Sequence, residues 1–334
     1  MLLALSLGTG CRGLQQAELR RFEFEQPQMG LPFHIALYAE NQAVAEIAAR
    51  AAFARVAELN QVFSDYEDDS ELTRLSRTSG SGRAMKVSDE LWRLMNVAQA
   101  MARKSDGAFD ITVGPLVQVW RRARRQRELP TPAVIADVKS RVGWQKIVLD
   151  PHLHTAKLLV PAMRLDLGSI AKGRALDEAL RVLREHGITR ALVTGSGDMA
   201  IGDPPPERPG WRIELAPLDA PGAPSTRFLT LHNCGFATSG DLFQHVELGG
   251  KRYSHIVDPR SGMAMTDHNL VVVIASDCVT ANSLSTTTCV VGPKRGLALV
   301  ESTRAASARV TRKPGERVEV MESHNFARYY ESAR

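Results

Sequence analysis

Alternating apolar positions at Phe33, Ile35 and Leu37, entered through the tight pair Met29-Gly30, predict an early β-strand. Asn41 then stands where a helix cap is needed, and Val44, Ile47, Ala48, Ala51, Ala52 and Val56 recur at helical spacing up to about Leu59. A second amphipathic helix is expected from Ser88 through Leu91, Leu94, Met95, Ala98 and Met101, with Asp89 and Glu90 in the first turn, where the helix dipole favours negative charge. Pro130-Thr131-Pro132 reads as a connection, because two prolines so close fit neither a helix interior nor a central strand. Beyond residue 145 the pattern changes to extended segments, Ile147 to Leu149, Leu158 to Val160 and Met163 to Leu167, then a helix from Ala175 to Leu183 closed by Gly187. Ala191 to Val193 is a buried strand, Leu270 to Ala275 a near-continuous aliphatic run, and Val279 to Val290 follows at helical length. These elements predict an α+β fold, mixed sheets covered by helices, with an active cleft where loops from its two halves meet.

Composition narrows the class. Of 334 residues, 44% are apolar and 24% charged, a globular balance that excludes a disordered, collagenous or multi-span membrane chain. The net charge of +5 calls for no nucleic-acid partner, and the cluster Arg121, Arg122, Arg124, Arg125 and Arg127, lacking interleaved aromatics, reads as a solvated helix end. Cys11, Cys234, Cys278 and Cys289 show no CxxC spacing and build no disulfide scaffold. The apolar run Leu2 to Leu7, with Gly8-Thr9-Gly10 leading into Cys11, is similar to the end of a lipoprotein signal although a basic n-region is missing. The expectation is an export leader over residues 1–20 and one folded domain over 21–334, with an ordinary buried amino terminus as the alternative.

Five segments carry more polar and glycine-rich chemistry than packing requires. Ser105 to Pro115 brackets Ala108, Phe109, Asp110 and Thr112 between Gly107 and Gly114, either to offer backbone groups to a polar ligand or as a structural turn with Phe109 buried. Asp166-Leu167-Gly168-Ser169-Ile170-Ala171-Lys172-Gly173 joins a strand to a helix start, where free N–H groups and the Lys172 cation suit an anion. Gly195-Ser196-Gly197-Asp198 repeats that logic, or is a plain tight turn. Tyr253 to Gly262 places His255, Asp258 and Arg260 within six residues; Asp258 and Arg260 either act chemically or pair to shape the turn. In Ala281-Asn282-Ser283-Leu284-Ser285-Thr286, residues 282 and 286 share a helix face as neutral oxygen donors for a hard cation, or as an ordinary polar pair.

Taken in order, and joined by Phe63-Ser64-Asp65-Tyr66, Ser70-Glu71 and Ala237-Thr238-Ser239-Gly240, these segments resemble the ApbE family of FAD:protein FMN transferases from about Met29 to Gly292. The resemblance implies a T-fold-like architecture and an enzyme that cleaves FAD, esterifies FMN to a Thr or Ser hydroxyl of a target protein, and releases AMP with Mg²⁺ as cofactor. It implies FAD contacts at Met29, Tyr66, Ala108, Phe109, Asp110, Asp166, Lys172 and Ile256. Metal contacts would come from the Ser169 carbonyl and the side chains of Asn282 and Thr286, and His255, or else Asp258, would serve as the base. Family habit adds a location on the periplasmic side of the bacterial envelope, a lipid anchor through Cys11, and an acceptor that is a subunit of a membrane redox complex. Asn282 departs from the family, which carries Asp there; Asn keeps a carbonyl oxygen but loses the charge that holds Mg²⁺ most strongly, so weaker metal binding is expected. The alternatives are an FAD pyrophosphatase, with water as nucleophile, and a non-catalytic FAD-binding protein.

Overall fold

The chain enters its fold through a hairpin. In the computed structural model, which describes residues 18–218, 227–242 and 244–331, strand β1 (Arg20–Gln28) turns at Met29 and Gly30 into β2 (Leu31–Ala39). Both turn residues have positive φ, 51° and 72°, the left-handed pair that matches the twist of a two-residue hairpin. Cys11 and residues 1–17 of the expected leader lie outside the described residues, while Arg20, the last residue of the segment expected to be leader, is paired in the sheet. The sequence reading missed β1, although Phe22 and Phe24 alternate with Glu23 and Glu25.

Asn41 caps helix α1 (Gln42–Phe63) by accepting from Val44 N at 3.1 Å. Val44 and Ile47, expected on the apolar face, are 39% and 58% exposed; Ala45, Ala48, Ala49 and Ala52 face the core instead. There follow α2 (Glu71–Arg77), β3 (Met85–Lys86) and α3 (Asp89–Ser105), the last capped by Ser88 as expected. Next come α4 (Gly114–Gln126) and α5 (Pro132–Lys139). Pro132 therefore opens a helix rather than only a connection: the first helical turn needs no N–H from it, and Thr131 supplies the cap. β5 (Thr155–Leu158) pairs with β3 on one side and with β4 (Ile147–Asp150) on the other in a small sheet. The stretch Met163 to Leu167, expected to be extended strand, joins no sheet; Leu165 N donates to Ser76 Oγ and Asp166 N to the Ile111 carbonyl.

Helix α6 (Ala171–Glu185) leads to β6 (Ala191–Gly195) and β7 (Asp198–Ile201). The hairpin β8 (Trp211–Glu214) and β9 (Phe228–Leu231) precedes β10 (Cys234–Gly240), and a second hairpin, β11 (His245–Leu248) and β12 (Lys251–Ser254), precedes β13 (Asn269–Ala275). The described chain closes with α7 (Cys278–Val291), α8 (Pro293–Glu301), β14 (Ser307–Arg312) and β15 (Glu319–Glu322). The main sheet has the order β1-β2-β6-β7-β10-β13-β14-β15, and each neighbouring pair is antiparallel. One core joins the β1, β2 and β6 end of this sheet to α1, α3 and α6, a second packs β10, β13 and β14 against α7, and a third seats α4 and α5 on the β11–β12 hairpin.

The start of α7 is gripped from two sides. A Cβ on Gly173 of α6 would lie 2.7 Å from the Cys278 carbonyl oxygen, and one on Gly235 of β10 would lie 2.1 Å from the Asp277 carbonyl carbon. Asp177 of α6 accepts from Cys278 N at 2.8 Å and Val279 N at 3.0 Å, an anion at a helix start, although burial pushes its carboxyl up to about 7. Backbone cannot yield as a flexible side chain can. Gly235→Ala is therefore expected to lower unfolding stability by about 3 kcal/mol in urea titrations, and a loss below about 0.5 kcal/mol would contradict so close an approach.

Candidate functional site

The candidate residues lie in the loop after α1, on α4, at the start of α6 and in the chain leaving β12. Ser64 turns the backbone after α1: its hydroxyl accepts from Tyr66 N at 3.2 Å and Glu67 N at 3.1 Å, and its carbonyl accepts from Ser70 Oγ at 2.6 Å. That loop holds Tyr66 75% exposed, a large aromatic face left free. Arg121 backs it, with its guanidinium carbon 4.5 Å from the ring centroid. The same guanidinium binds Asp65 Oδ2 at 2.6 Å and Asp166 Oδ2 at 3.3 Å. Burial, and then the like charge of Asp65, push the Asp166 carboxyl above the usual carboxylate range, with Arg121 opposing.

Arg121 and Arg124 were missed as site residues. Arg122, Arg125 and Arg127 are the solvated helix end that the cluster suggested, but Arg121 and Arg124 are half-buried. Their spacing from Val117 and the buried Trp120 was the available signal, since residues three and four apart share a helix face. Positive charge from Arg124 acts on both Tyr66 and His255, and that from Lys172 also acts on His255, so α4 and the start of α6 lie within electrostatic reach of the His255 segment. Among the described residues, no hydrogen bond or ion pair holds the Arg124 guanidinium.

His255 follows β12 directly. Its Nδ1 lies 3.1 Å from the Gln244 carbonyl, which can only accept, so Nδ1 carries the proton and Nε2 keeps its lone pair. The imidazole has an open edge to solvent, yet burial by the crevice walls lowers its pKa, and Arg124 and Lys172 lower it further against the Gln244 carbonyl and Asp241. Asp241 fixes the hairpin behind it: Arg252 Nε lies at 2.5 Å and His268 Nδ1 at 2.9 Å, while Asn269 N donates at 3.0 Å. Asp258, offered as an alternative base, is committed elsewhere. Arg260 Nε and Nη2 bind its two oxygens at 2.9 and 3.1 Å and Arg260 N donates at 2.9 Å, so this carboxylate shapes the turn.

Lys172, the cation expected to suit an anion, pairs with Asp198 Oδ2 at 2.8 Å. Nor is the start of α6 an open row of donors: Ala171 N is bonded to the Leu167 carbonyl at 2.8 Å and Gly173 N to Asn282 Oδ1 at 3.4 Å. Thr286 is half-buried with Oγ1 3.3 Å from Ser239 Oγ, which also meets Ser285 Oγ at 2.8 Å. Ala108, Phe109, Asp110 and Ile256 are all buried, and the Asp110 carboxylate is taken by Thr112 N and Oγ1 at 2.8 and 2.7 Å. Phe109 belongs to the main core, and Ala108 and Ile256 to the core around α7. Met29 lies half-buried against the main core in the hairpin turn.

Among the described residues, no group of three or more His, Cys, Asp or Glu side chains is placed to hold a metal ion. Of the expected donors, Asn282 spends its NH₂ on Asp198 and its Oδ1 on Gly173 N, while the Thr286 hydroxyl meets only Ser239 Oγ. The Thr286 hydroxyl and the Ser169 carbonyl have the oxygen chemistry of a Mg²⁺ site that takes its remaining ligands from substrate phosphates.

Tyr66 is thus an exposed ring backed by Arg121, with Arg124 acting on both Tyr66 and His255. The chain belongs to the ApbE family, whose model matches residues 29–310. It is 30% identical over 282 residues to the FAD:protein FMN transferase of Escherichia coli K12, covering 82% of this chain and 79% of that protein. It is 28% identical over 299 residues to that of Haemophilus influenzae, covering 87% and 86%. Among solved structures, the flavin transferase ApbE from Vibrio cholerae superposes with a TM-score of 0.80 at 25% identity, over 93% of this chain and all of that one (100%). The apo form of Pseudomonas stutzeri flavinyl transferase ApbE gives 0.82 at 27%, over 95% and 98%.

Removing the Arg121 charge leaves Asp65 and Asp166, 10% and 9% exposed, to repel each other. Arg121→Gln is expected to cost about 2 kcal/mol of stability at pH 7. The loss shrinks toward pH 4 as the raised Asp166 carboxyl protonates, a difference that denaturant unfolding at both pH values reads out directly.

Proposed function

We propose that this chain transfers FMN from FAD to a Thr or Ser hydroxyl of an acceptor protein and releases AMP, with Mg²⁺ as cofactor. The observation that carries the proposal is His255. Its tautomer is fixed by a backbone carbonyl and its pKa is lowered, so the ring is neutral at pH 7, and the charge of Arg124 acts on it and on the exposed Tyr66 alike. The names of the relatives support the same reading.

Tyr66, backed by Arg121, offers its face to the isoalloxazine ring, an arrangement favoured for a flat conjugated ligand. Arg124 and Lys172 neutralise phosphoryl oxygens, and the backbone of Ala108 to Asp110, with Ile256 and Asp166, bounds the ligand. His255 Nε2 takes the proton of the acceptor hydroxyl as its oxygen bonds to the FMN-side phosphorus. The bond from that phosphorus to the bridging oxygen breaks, and the oxygen departs with its electron pair as part of AMP. Bound Mg²⁺ supplies charge neutralisation at the pyrophosphate. The acceptor as a subunit of a membrane redox complex, and a periplasmic location with a lipid on Cys11, belong to the same proposal and rest on the family habit and the Leu2 to Cys11 pattern. No helix among the described residues is long and apolar enough to cross a membrane.

Incubation with FAD, Mg²⁺ and a flavin-acceptor domain tests the reading: a fluorescent acceptor band supports it, free FMN identifies a pyrophosphatase, and unchanged FAD a binding protein. His255→Ala is expected to slow transfer by about 10²- to 10⁴-fold with FAD still bound. Arg124→Gln removes a charge that depresses the imidazole pKa, so the acid limb of kcat/KM moves to higher pH. A limb unmoved or shifted downward would exclude His255 as the base that Arg124 tunes.

A further inference from the structure

The hairpin that leads into His255 is a sheet of its own, separate from the main one. A single oxygen receives both donors of His255: the Gln244 carbonyl accepts from His255 N at 3.0 Å and from Nδ1 at 3.1 Å. The place of that carbonyl therefore decides both where the ring stands and which nitrogen holds the proton. Gln244 is itself exposed, so its own side chain does not anchor it. The anchor is Asp241, just past the end of β10, with its side chain 2% exposed. Toward the main sheet, its carboxylate accepts from Asn269 N at 3.0 Å and meets His268 Nδ1 at 2.9 and 3.1 Å, while its own N donates to the Asn269 carbonyl at 3.3 Å. The preceding Gly240 is pressed so close that a Cβ there would lie 2.2 Å from the Asn269 carbonyl oxygen. Toward the hairpin, Arg252 of β12 straddles Asp241: Nη2 donates to the Asp241 carbonyl at 3.0 Å and Nε lies 2.5 Å from Oδ2. His245, first in β11, sets Nδ1 2.8 Å from the same carbonyl oxygen.

We propose that Asp241 is a positioning residue for His255: by clamping both strands of the hairpin to β13, it holds the Gln244 carbonyl where that oxygen keeps the imidazole proton on Nδ1 and leaves Nε2 free. The proposal deepens the transfer reading given above and rests on it for the effect on rate. Apolar packing supplies a different constraint, since Val246, Leu248 and Tyr253 seat the hairpin on α4 and α5, whereas the joint to β13 is polar. A carboxylate so buried keeps its partners, because parting them would leave a charge with neither donors nor water. The charge of Asp241 also acts to raise the His255 pKa, so removing it leaves the ring still neutral at pH 7. A slower Asp241→Asn enzyme then reports a misplaced ring and not a protonated one.

Asp241→Asn keeps the outline of the side chain and an oxygen for Asn269 N, but loses the charge that faces Arg252. The ¹⁵N NMR spectrum of the His255 ring, assigned against His255→Ala, reads the tautomer in FAD-free protein, and steady-state assays read FMN transfer. Wild type is expected to carry the proton on Nδ1 and Asp241→Asn to populate both tautomers, with kcat lowered about tenfold to a hundredfold and KM for FAD unchanged. In the His255→Ala background the same substitution is expected to cost nothing further, because a residue acting through the ring has nothing left to place. Arg252→Lys keeps the cation but not the fork that spans carbonyl and carboxylate. It is the milder variant should Asp241→Asn fail to fold, and a mixed tautomer is expected there too. An unchanged tautomer in every folded variant, or an equal loss of kcat with and without His255, would overturn the proposal. Wild type that binds no FAD or transfers no FMN would instead overturn the transfer reading, and the tautomer measurement would still decide the role of Asp241.

Discussion

A carboxylate cut off from water must be met by donors or it will not stay charged, and at Asp198 they come from α6, α7 and β10. Those three elements and β7 have to arrive within hydrogen-bond reach of one side chain, which is a demand on backbone spacing. The bare Cα atoms of Gly173 and Gly235 meet it, letting a helix and a strand close on the start of α7 where any Cβ would strike backbone. Asp177 then ties the first N–H groups of α7 to α6. The glycine in Ala171-Lys172-Gly173, read from sequence as part of an anion-binding turn, is at least as much a packing residue.

Much of the scaffold was legible because burial writes a period into the chain. β2, α1, α3, β6, β13 and α7 all follow their apolar spacing or caps. Errors fell where tertiary partners override local pattern. Met163 to Leu167 is apolar enough for a strand, yet its backbone bonds go to Ser76 and Ile111, far along the chain. Ile47 keeps the helical spacing but faces solvent because alanines supply the packed face of α1.

The candidate site was legible as a set of segments and not as a network. His255 stood out by local density, and Asp258 with it, but only the structure separates them, through the two-point grip of Arg260 on Asp258 and the single carbonyl on His255. Lys172 was visible as a cation, while its partner Asp198 was hidden in what read as a tight turn, which it also is: Ser196 and Gly197 both have positive φ. Arg121 was masked by its neighbours, since five arginines in one short run look alike until helical phase sorts the inward pair from the rest.

The same phase explains how one crevice reconciles two opposed demands. A site for a dinucleotide needs cations, whereas a base near neutral pH needs an uncharged ring. In the proposed reading Arg124 and Lys172 would serve both, because a field that draws phosphate also disfavours the imidazolium form of His255. The carboxylates that could reverse this effect are spoken for: Asp65 and Asp166 by Arg121, Asp258 by Arg260, Asp198 by Lys172. Asp241, whose charge does raise the His255 pKa, is itself bound by Arg252 and His268. With these carboxylates all held by cations, burial together with Arg124 and Lys172 prevails over the Gln244 carbonyl and Asp241, and the His255 pKa is lowered.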